Sequence, residues 1–321
     1  MTPRTSIDFS AIRVLDGGLA TELEHRGCDI AGPLWSAHVL DRSPAQLTAV
    51  HLDFLRAGAD CIATAGYQIS AMGYRDLGLT AQEAPAAAHG ALLQSVSVAE
   101  AARTEYAREN PRRVWIAASL GPYGAALHNG AEYHGRLEID DDALLAFHTE
   151  RLKVLAETSA DLIAFETVPS LTEARVIVQA LRQFPQLAAW ISFTCRDSIH
   201  VAHGEPLQLC AEMLSGVPRV VAIGINCVAP HLILPLLAEA QQGARGRKPV
   251  IVYPNSGEVW NPATRTWHGE DNTLRFGTMA RSWFAAGAQA VGGCCRTRPT
   301  HIAAVARAAA AVLPGSPAVV S

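Results

Sequence analysis

Three cysteines are the residues best suited to chemistry in this sequence: Cys227, which ends Gly224-Ile225-Asn226-Cys227, and the adjacent pair in Val291-Gly292-Gly293-Cys294-Cys295-Arg296-Thr297. Thiolates are soft donors, and three of them around a tetrahedral ion suit zinc; three protein ligands with an open fourth position mark a catalytic site rather than a structural one. Neighbouring side chains on an extended strand face opposite ways, so Cys294 and Cys295 can share an ion only where the backbone leaves extended geometry. Gly292-Gly293 supplies conformational freedom for such a turn. Taken singly, each cysteine also reads as a buried apolar thiol. Their common position at the ends of apolar runs is what points to a metal, whereas Cys28, Cys61, Cys195 and Cys210 read as ordinary thiols.

The charge of such a site selects its chemistry. Zinc carrying three thiolates is already net negative and makes hydroxide from water poorly, but an incoming thiol would bind in the fourth position as a thiolate. Its sulfur stays electron-rich, which is activation of a thiol for alkyl transfer. Asp16 and Glu166 end two other runs. Alone, Asp16-Gly17-Gly18 reads as a tight turn and Glu166 as a helix-start charge; beside a thiol-binding metal the two suit the ammonium of an amino-acid thiol, with the exposed amides after Gly17 and Gly18 for its carboxylate. Tyr67, Tyr123, Trp260 and Trp267 offer aromatic faces for a cation, or simply pack their loops.

Positioning these residues falls to eight short apolar runs alternating with Ala/Leu-rich stretches: 14–16, 61–64, 114–118, 162–165, 189–193, 220–223, 250–253 and 290–291. Runs apolar throughout are expected of parallel strands buried on both faces. Capping residues at Ser43-Pro44, Asp140 and Ser170 open helices between them, and 81–108 reads as one or two helices outside the sheet. Eight β-then-α units predict a (β/α)8 barrel over 1–321 as one domain with flexible ends at about 1–10 and 314–321; an open doubly wound sheet uses the same local alphabet. In a barrel the residue after each strand lies on the catalytic rim, and Asp16, Tyr67, Glu166, Cys227, Asn255 and Cys294 all fall there.

Composition removes several alternatives. A net charge of -4 in a chain 49% apolar gives no reason to expect nucleic acid or an anionic membrane as partner. The basic run 244–248 is short and lacks aromatics. No stretch approaches the roughly 20 apolar residues that span a bilayer. Seven cysteines in a chain this large need no disulfides, which suits a reducing cytoplasm and small-molecule partners, the protein being a monomer or small homo-oligomer. A Schiff-base mechanism has only Lys153 and Lys248 to draw on, one in a helix and one before a strand. His203-Gly204-Glu205 and His268-Gly269-Glu270 lack the paired cysteines of a zinc deaminase.

Asp16-Gly17-Gly18-Leu19-Ala20-Thr21-Glu22-Leu23, Phe165-Glu166-Thr167, Gly224-Ile225-Asn226-Cys227, Tyr253-Pro254-Asn255-Ser256-Gly257-Glu258 and Gly292-Gly293-Cys294-Cys295-Arg296-Thr297 together resemble the zinc-dependent homocysteine S-methyltransferases, in consistent order from about Val14 to Leu313. The resemblance implies zinc on Cys227, Cys294 and Cys295, homocysteine bound through that zinc with its amino group near Asp16 and Glu166, and the Asn255 amide in the fourth position without substrate. The 253–267 stretch and the end of the chain soon after the eighth helix look like the methylsulfonium branch, whose donors are S-methylmethionine or S-adenosylmethionine. A betaine-dependent or selenocysteine methyltransferase, or a non-catalytic zinc or redox thiol protein, are the alternatives. Phe165 departs from relatives that carry a cysteine there.

Overall fold

Alternation of apolar runs with helices builds one parallel sheet in the computed structural model, which describes residues 7–30, 32, 34–136, 138–261, 266–268 and 272–312. Its strands are β1 (Cys61–Ala63), β2 (Trp115–Leu120), β3 (Leu162–Val168), β4 (Ala189–Phe193), β5 (Val220–Asn226) and β6 (Val250–Tyr253); then come a separate antiparallel hairpin, β7 (Val259–Asn261) with β8 (Thr266–His268), and finally β9 (Ala290–Val291). The sheet order is β1-β2-β3-β4-β5-β6-β9, seven strands with every neighbouring pair parallel.

The first of the eight expected runs is present as two isolated bridges rather than as a strand. Val14 pairs with Val291 of β9 and Leu15 with Cys61 of β1, so this short segment touches both edges of the sheet. Only two residues are paired because the chain turns at Asp16 to enter the helix Leu19–His25.

Period-two alternation divides the strand residues between two cores. Trp115, Ala117, Leu162, Ala164, Trp190, Ala222, Ile251 and Tyr253 share an inner cluster with Cys61 and Ala290 from the two edge strands. Ile116, Ala118, Ile163, Phe165, Ile191, Ile223 and Val252 face the surrounding helices in the other cluster. Edge residues sharing one inner core require the sheet to be strongly curled. Phe9 closes the inner core from below: it lies within the stretch read as a flexible end, yet is buried edge-on against Trp190 with ring centroids 6.2 Å apart.

The helices sit on the outer face, and the longest, Glu83–Glu109, fills the stretch expected outside the sheet. Among the described residues, no helix is long and apolar enough to cross a membrane.

A three-thiol centre on the strand rim

Cys227 follows the last residue of β5, and Cys294 and Cys295 follow β9. Their Sγ atoms all lie within 4.8 Å of one another, the Cys227 and Cys295 sulfurs 3.7 Å apart. All three residues are half-buried, so the cluster is neither sealed in the core nor fully on the surface.

The backbone explains how two adjacent cysteines reach one point. Thr297 donates to Cys294 O through both its amide and its hydroxyl, and Arg296 takes a left-handed φ of 65°, which turns the chain at 294–297. Gly292 and Gly293 were expected to supply unusual dihedrals; instead they permit close approach. A Cβ at Gly293 would stand 2.2 Å from Thr297 Oγ1, and one at Gly292 would stand 2.6 Å from Leu15 Cβ. Cys227 has a φ of 53°, and Thr167 at the end of β3 has 61°, both unusual for residues with side chains. Asn226 bridges them, accepting from the Thr167 amide at 2.8 Å and donating to its hydroxyl at 2.9 Å, with the same Nδ2 4.0 Å from Cys294 Sγ.

The thiols share protons unequally. Hydrogen bonds from Cys294, Cys295 and then Tyr133 hold the Cys227 thiol well below its ordinary range, while Cys294 and Cys295, donating toward Cys227, are pushed up. One negative charge is thus favourable in the cluster and further ones are resisted, the electrostatic condition that a cation relieves.

The carboxyls sit beside this cluster. Burial pushes Asp16 well above the usual carboxylate range, with repulsion from Glu166 adding to it; Asp16 also accepts from the Ala63 amide at 2.7 Å. Burial pushes Glu166 up to about 7, against hydrogen bonds from Ser119 and Tyr253. β3 runs to Val168, beyond the expected end at Phe165, with a register shift between Phe165 and Val168, an irregularity of the kind that re-aims side chains near sites. Trp190 Nε1 donates to Tyr253 Oη at 3.1 Å, so Glu166 rests on a column that continues through Trp190 to Phe9.

Other expected positions are placed differently. The Gly18 amide is not free for a ligand, since it donates to Thr297 O and Oγ1 at 3.1 and 3.0 Å. Gly17 and Gly18 are instead sites of close packing: a Cβ at Gly18 would meet Cys294 O at 2.6 Å. Asn255 has a sequestered Oδ1 with no hydrogen-bond partner among the described residues, while its amide bonds to Val228 O. Tyr67 borders the site near Cys227 and Cys294, its ring edge-on to Trp35. Tyr123 packs on Phe147, and its amide is fixed by Glu173 of the buried Glu173–His148–Arg151 chain. Trp260 and Trp267 pair across the hairpin; their side chains lie outside the described residues.

Strand-end reasoning missed Glu132 and Tyr133, which lie in the loop after β2 on the 3-10 turn Ala131–Tyr133. Tyr133 Oη reaches 3.5 Å from Cys227 Sγ. The signal available in the sequence was a carboxylate beside an aromatic residue in a loop long enough to reach back over the rim.

The family profile described as Homocysteine S-methyltransferase matches residues 13–309. Homocysteine S-methyltransferase YbgG of Bacillus subtilis is 43% identical over 305 residues, 94% of this chain and 95% of that protein. The selenocysteine Se-methyltransferase of Brassica oleracea var. italica is 39% identical over 309 residues, 91% of this chain and 87% of its own. Among solved structures, the homocysteine methyltransferase MmuM of Escherichia coli in its metallated form superposes with a TM-score of 0.80 at 41% identity, covering 92% of this chain and 96% of that one. On residues 13–309 and on these relatives, the chain belongs to the homocysteine S-methyltransferase family.

Proposed function

We propose that this protein transfers a methyl group from a methylsulfonium donor, S-methylmethionine or S-adenosylmethionine, to the sulfur of L-homocysteine, with zinc on Cys227, Cys294 and Cys295. The observation that carries this reading is the cluster of three half-open thiols beside two buried carboxyls in a chain of this family.

The residues fit the metal. Zinc–sulfur bonds of about 2.3 Å in a tetrahedron imply sulfur–sulfur edges of about 3.8 Å; the Cys227–Cys295 edge is 3.7 Å. The partnerless Asn255 Oδ1 offers a neutral oxygen for the fourth position before substrate arrives. Bound there, zinc would keep the incoming thiol deprotonated while leaving its sulfur electron-rich.

The chain's own residues orient the acceptor. Asp16 and Glu166 repel one another, so an ammonium between them restores both to the ionised state. Ser119 and Tyr253 fix the Glu166 carboxylate, and with the Gly18 amide engaged, the Leu19 amide at the start of its helix takes the acceptor carboxylate. Tyr67 walls the acceptor side. The thiolate then attacks the methyl carbon in line with the departing sulfur; the carbon–sulfur bond breaks and its electron pair stays on the neutral thioether. No proton moves at carbon, and the rate comes from alignment and thiolate activation.

We further read the curled sheet, bridged at both edges by Val14 and Leu15, as a closed (β/α)8 barrel forming one domain, with the site on its strand C-terminal rim, and place the protein in the cytoplasm, where thiols stay reduced.

Zinc-loaded protein is expected to form methionine from homocysteine and S-methylmethionine, and Cys227→Ala to lose both metal and turnover. Activity that persists after chelation would overturn the mechanism; betaine outperforming both sulfoniums at fixed homocysteine would reassign the donor.

A further inference from the structure

We infer that Glu132 receives the positive charge of the methyl donor, a role that rests on the proposed transfer from a sulfonium. The geometry starts with the 3-10 turn Ala131–Tyr133, which Gly130 opens at a left-handed φ of 80°. The turn is pressed onto the chain segment after β2: a Cβ on Gly124 would come within 2.6 Å of the Glu132 amide nitrogen. The next residue, Tyr133, sets its hydroxyl 3.5 Å from Cys227 Sγ. Glu132 is thereby carried to the edge of the thiol cluster on a segment with little freedom to move.

Glu132 is 9% exposed, and its Oε2 has no hydrogen-bond partner among the described residues. None of the ion pairs among those residues includes it. Buried carboxyls are ordinarily paired, because a sequestered oxygen without a partner is costly. Glu132 is therefore poised for a cation that the described residues do not supply.

The carboxyls divide into two groups. Glu166 acts on Asp16 and is held by hydrogen bonds from Ser119 and Tyr253, whereas Glu132 lies against Tyr67 with its Oε2 unpartnered among the described residues; the Cys227 charge reaches Glu166 and Glu132 alike. Homocysteine brings one ammonium, which the Asp16–Glu166 pair accounts for. A methylsulfonium amino acid brings an additional ammonium and a sulfonium, and among the described residues Glu132 is the carboxyl left to meet them beside the sulfur to be methylated. Where the contact is with the sulfonium, transfer itself erases it, since the donor sulfur leaves as a neutral thioether, and product release is favoured by the same step that forms the product.

Glu132→Gln keeps the shape and removes the charge. Loss of one charged contact should raise KM for S-methylmethionine roughly 10–100-fold while KM for homocysteine stays within about twofold. Bound zinc should match the wild type and the melting temperature should be no lower, since the variant removes a buried carboxyl that burial pushes up to about 7, and Glu132→Asp should recover part of the donor affinity. Dimethylsulfonioacetate, which has no amino group, separates the two cations: an equal loss with it assigns the contact to the sulfonium, and a loss confined to S-methylmethionine assigns it to the ammonium. Unchanged donor KM in Glu132→Gln, or a rise in homocysteine KM instead, overturns the inference alone. Wild-type protein that uses no sulfonium overturns the parent reading and this one with it.

Discussion

Glu166 shows how one residue couples affinity to pH and to stability. Its carboxyl is pushed from 4.5 to about 7, first by burial. An ammonium binds to the ionised form, so kcat/KM for homocysteine should fall as pH drops through about 7 and level off above it. Glu166→Gln should remove that inflection and raise homocysteine KM roughly 10–100-fold with zinc retained; loss of zinc would assign Glu166 a structural role. The stability sign runs the other way. A carboxyl whose folded pKa lies above its unfolded value binds more protons when folded, so stability falls as pH rises from 4.5 through about 7. At pH 8 the Gln variant should therefore melt higher than the wild type. A buried carboxyl that lowers stability at the pH where it is ionised is typical of a site kept for function.

At the scale of elements, the turn after β9 has no slack. Gly293 lies against Thr297, which in turn caps Cys294 O and receives the Gly18 amide, so the side chain that ties two segments together fills the place where a Cβ would go. Gly293→Ala should cost about 1–3 kcal/mol through overpacking and weaken metal binding, measured by thermal melt and zinc content; a variant with wild-type melt and metal would show that the turn can yield. Sequence alone located much of this. Apolar runs marked the sheet strands, and counting to the residue after each run placed Asp16, Glu166, Cys227 and Cys294 on a common rim, where they lie. It erred on the glycines, since a Gly-Gly pair signals freedom and contact equally well and only the neighbours distinguish them. It passed over Glu132 and Tyr133 because they reach the rim through a loop excursion several residues beyond β2, where strand counting has no hold. Asn226 was visible within its motif, but its bond to Thr167, 59 residues away in sequence, belongs to the tertiary structure.

Across the whole molecule, the thiol cluster joins distant parts of the chain: Cys227 and Cys295 are 68 residues apart, and Gly18 is tied to Thr297 across 279. A ligand that binds only the folded arrangement stabilises it, by about 2.7 kcal/mol at 100 times its dissociation constant. Zinc should accordingly raise the melting temperature and a chelator lower it, and Cys227→Ala should show neither response; a wild-type melt indifferent to zinc would place the metal elsewhere. The bridges of Val14 and Leu15 to opposite edges of the sheet have a consequence in time as well as in space. During synthesis at roughly 5–20 residues per second, the rim half that carries Asp16 and the Cys227 thiol exists for several seconds before Cys294 and Cys295 are made. Leu15 can pair with Cys61 early, but Val14 and Cys227 wait for the last strand, so the proposed metal would be acquired as a closing event of folding, and until then Cys227 lacks the hydrogen bonds from Cys294 and Cys295 that hold its thiol low.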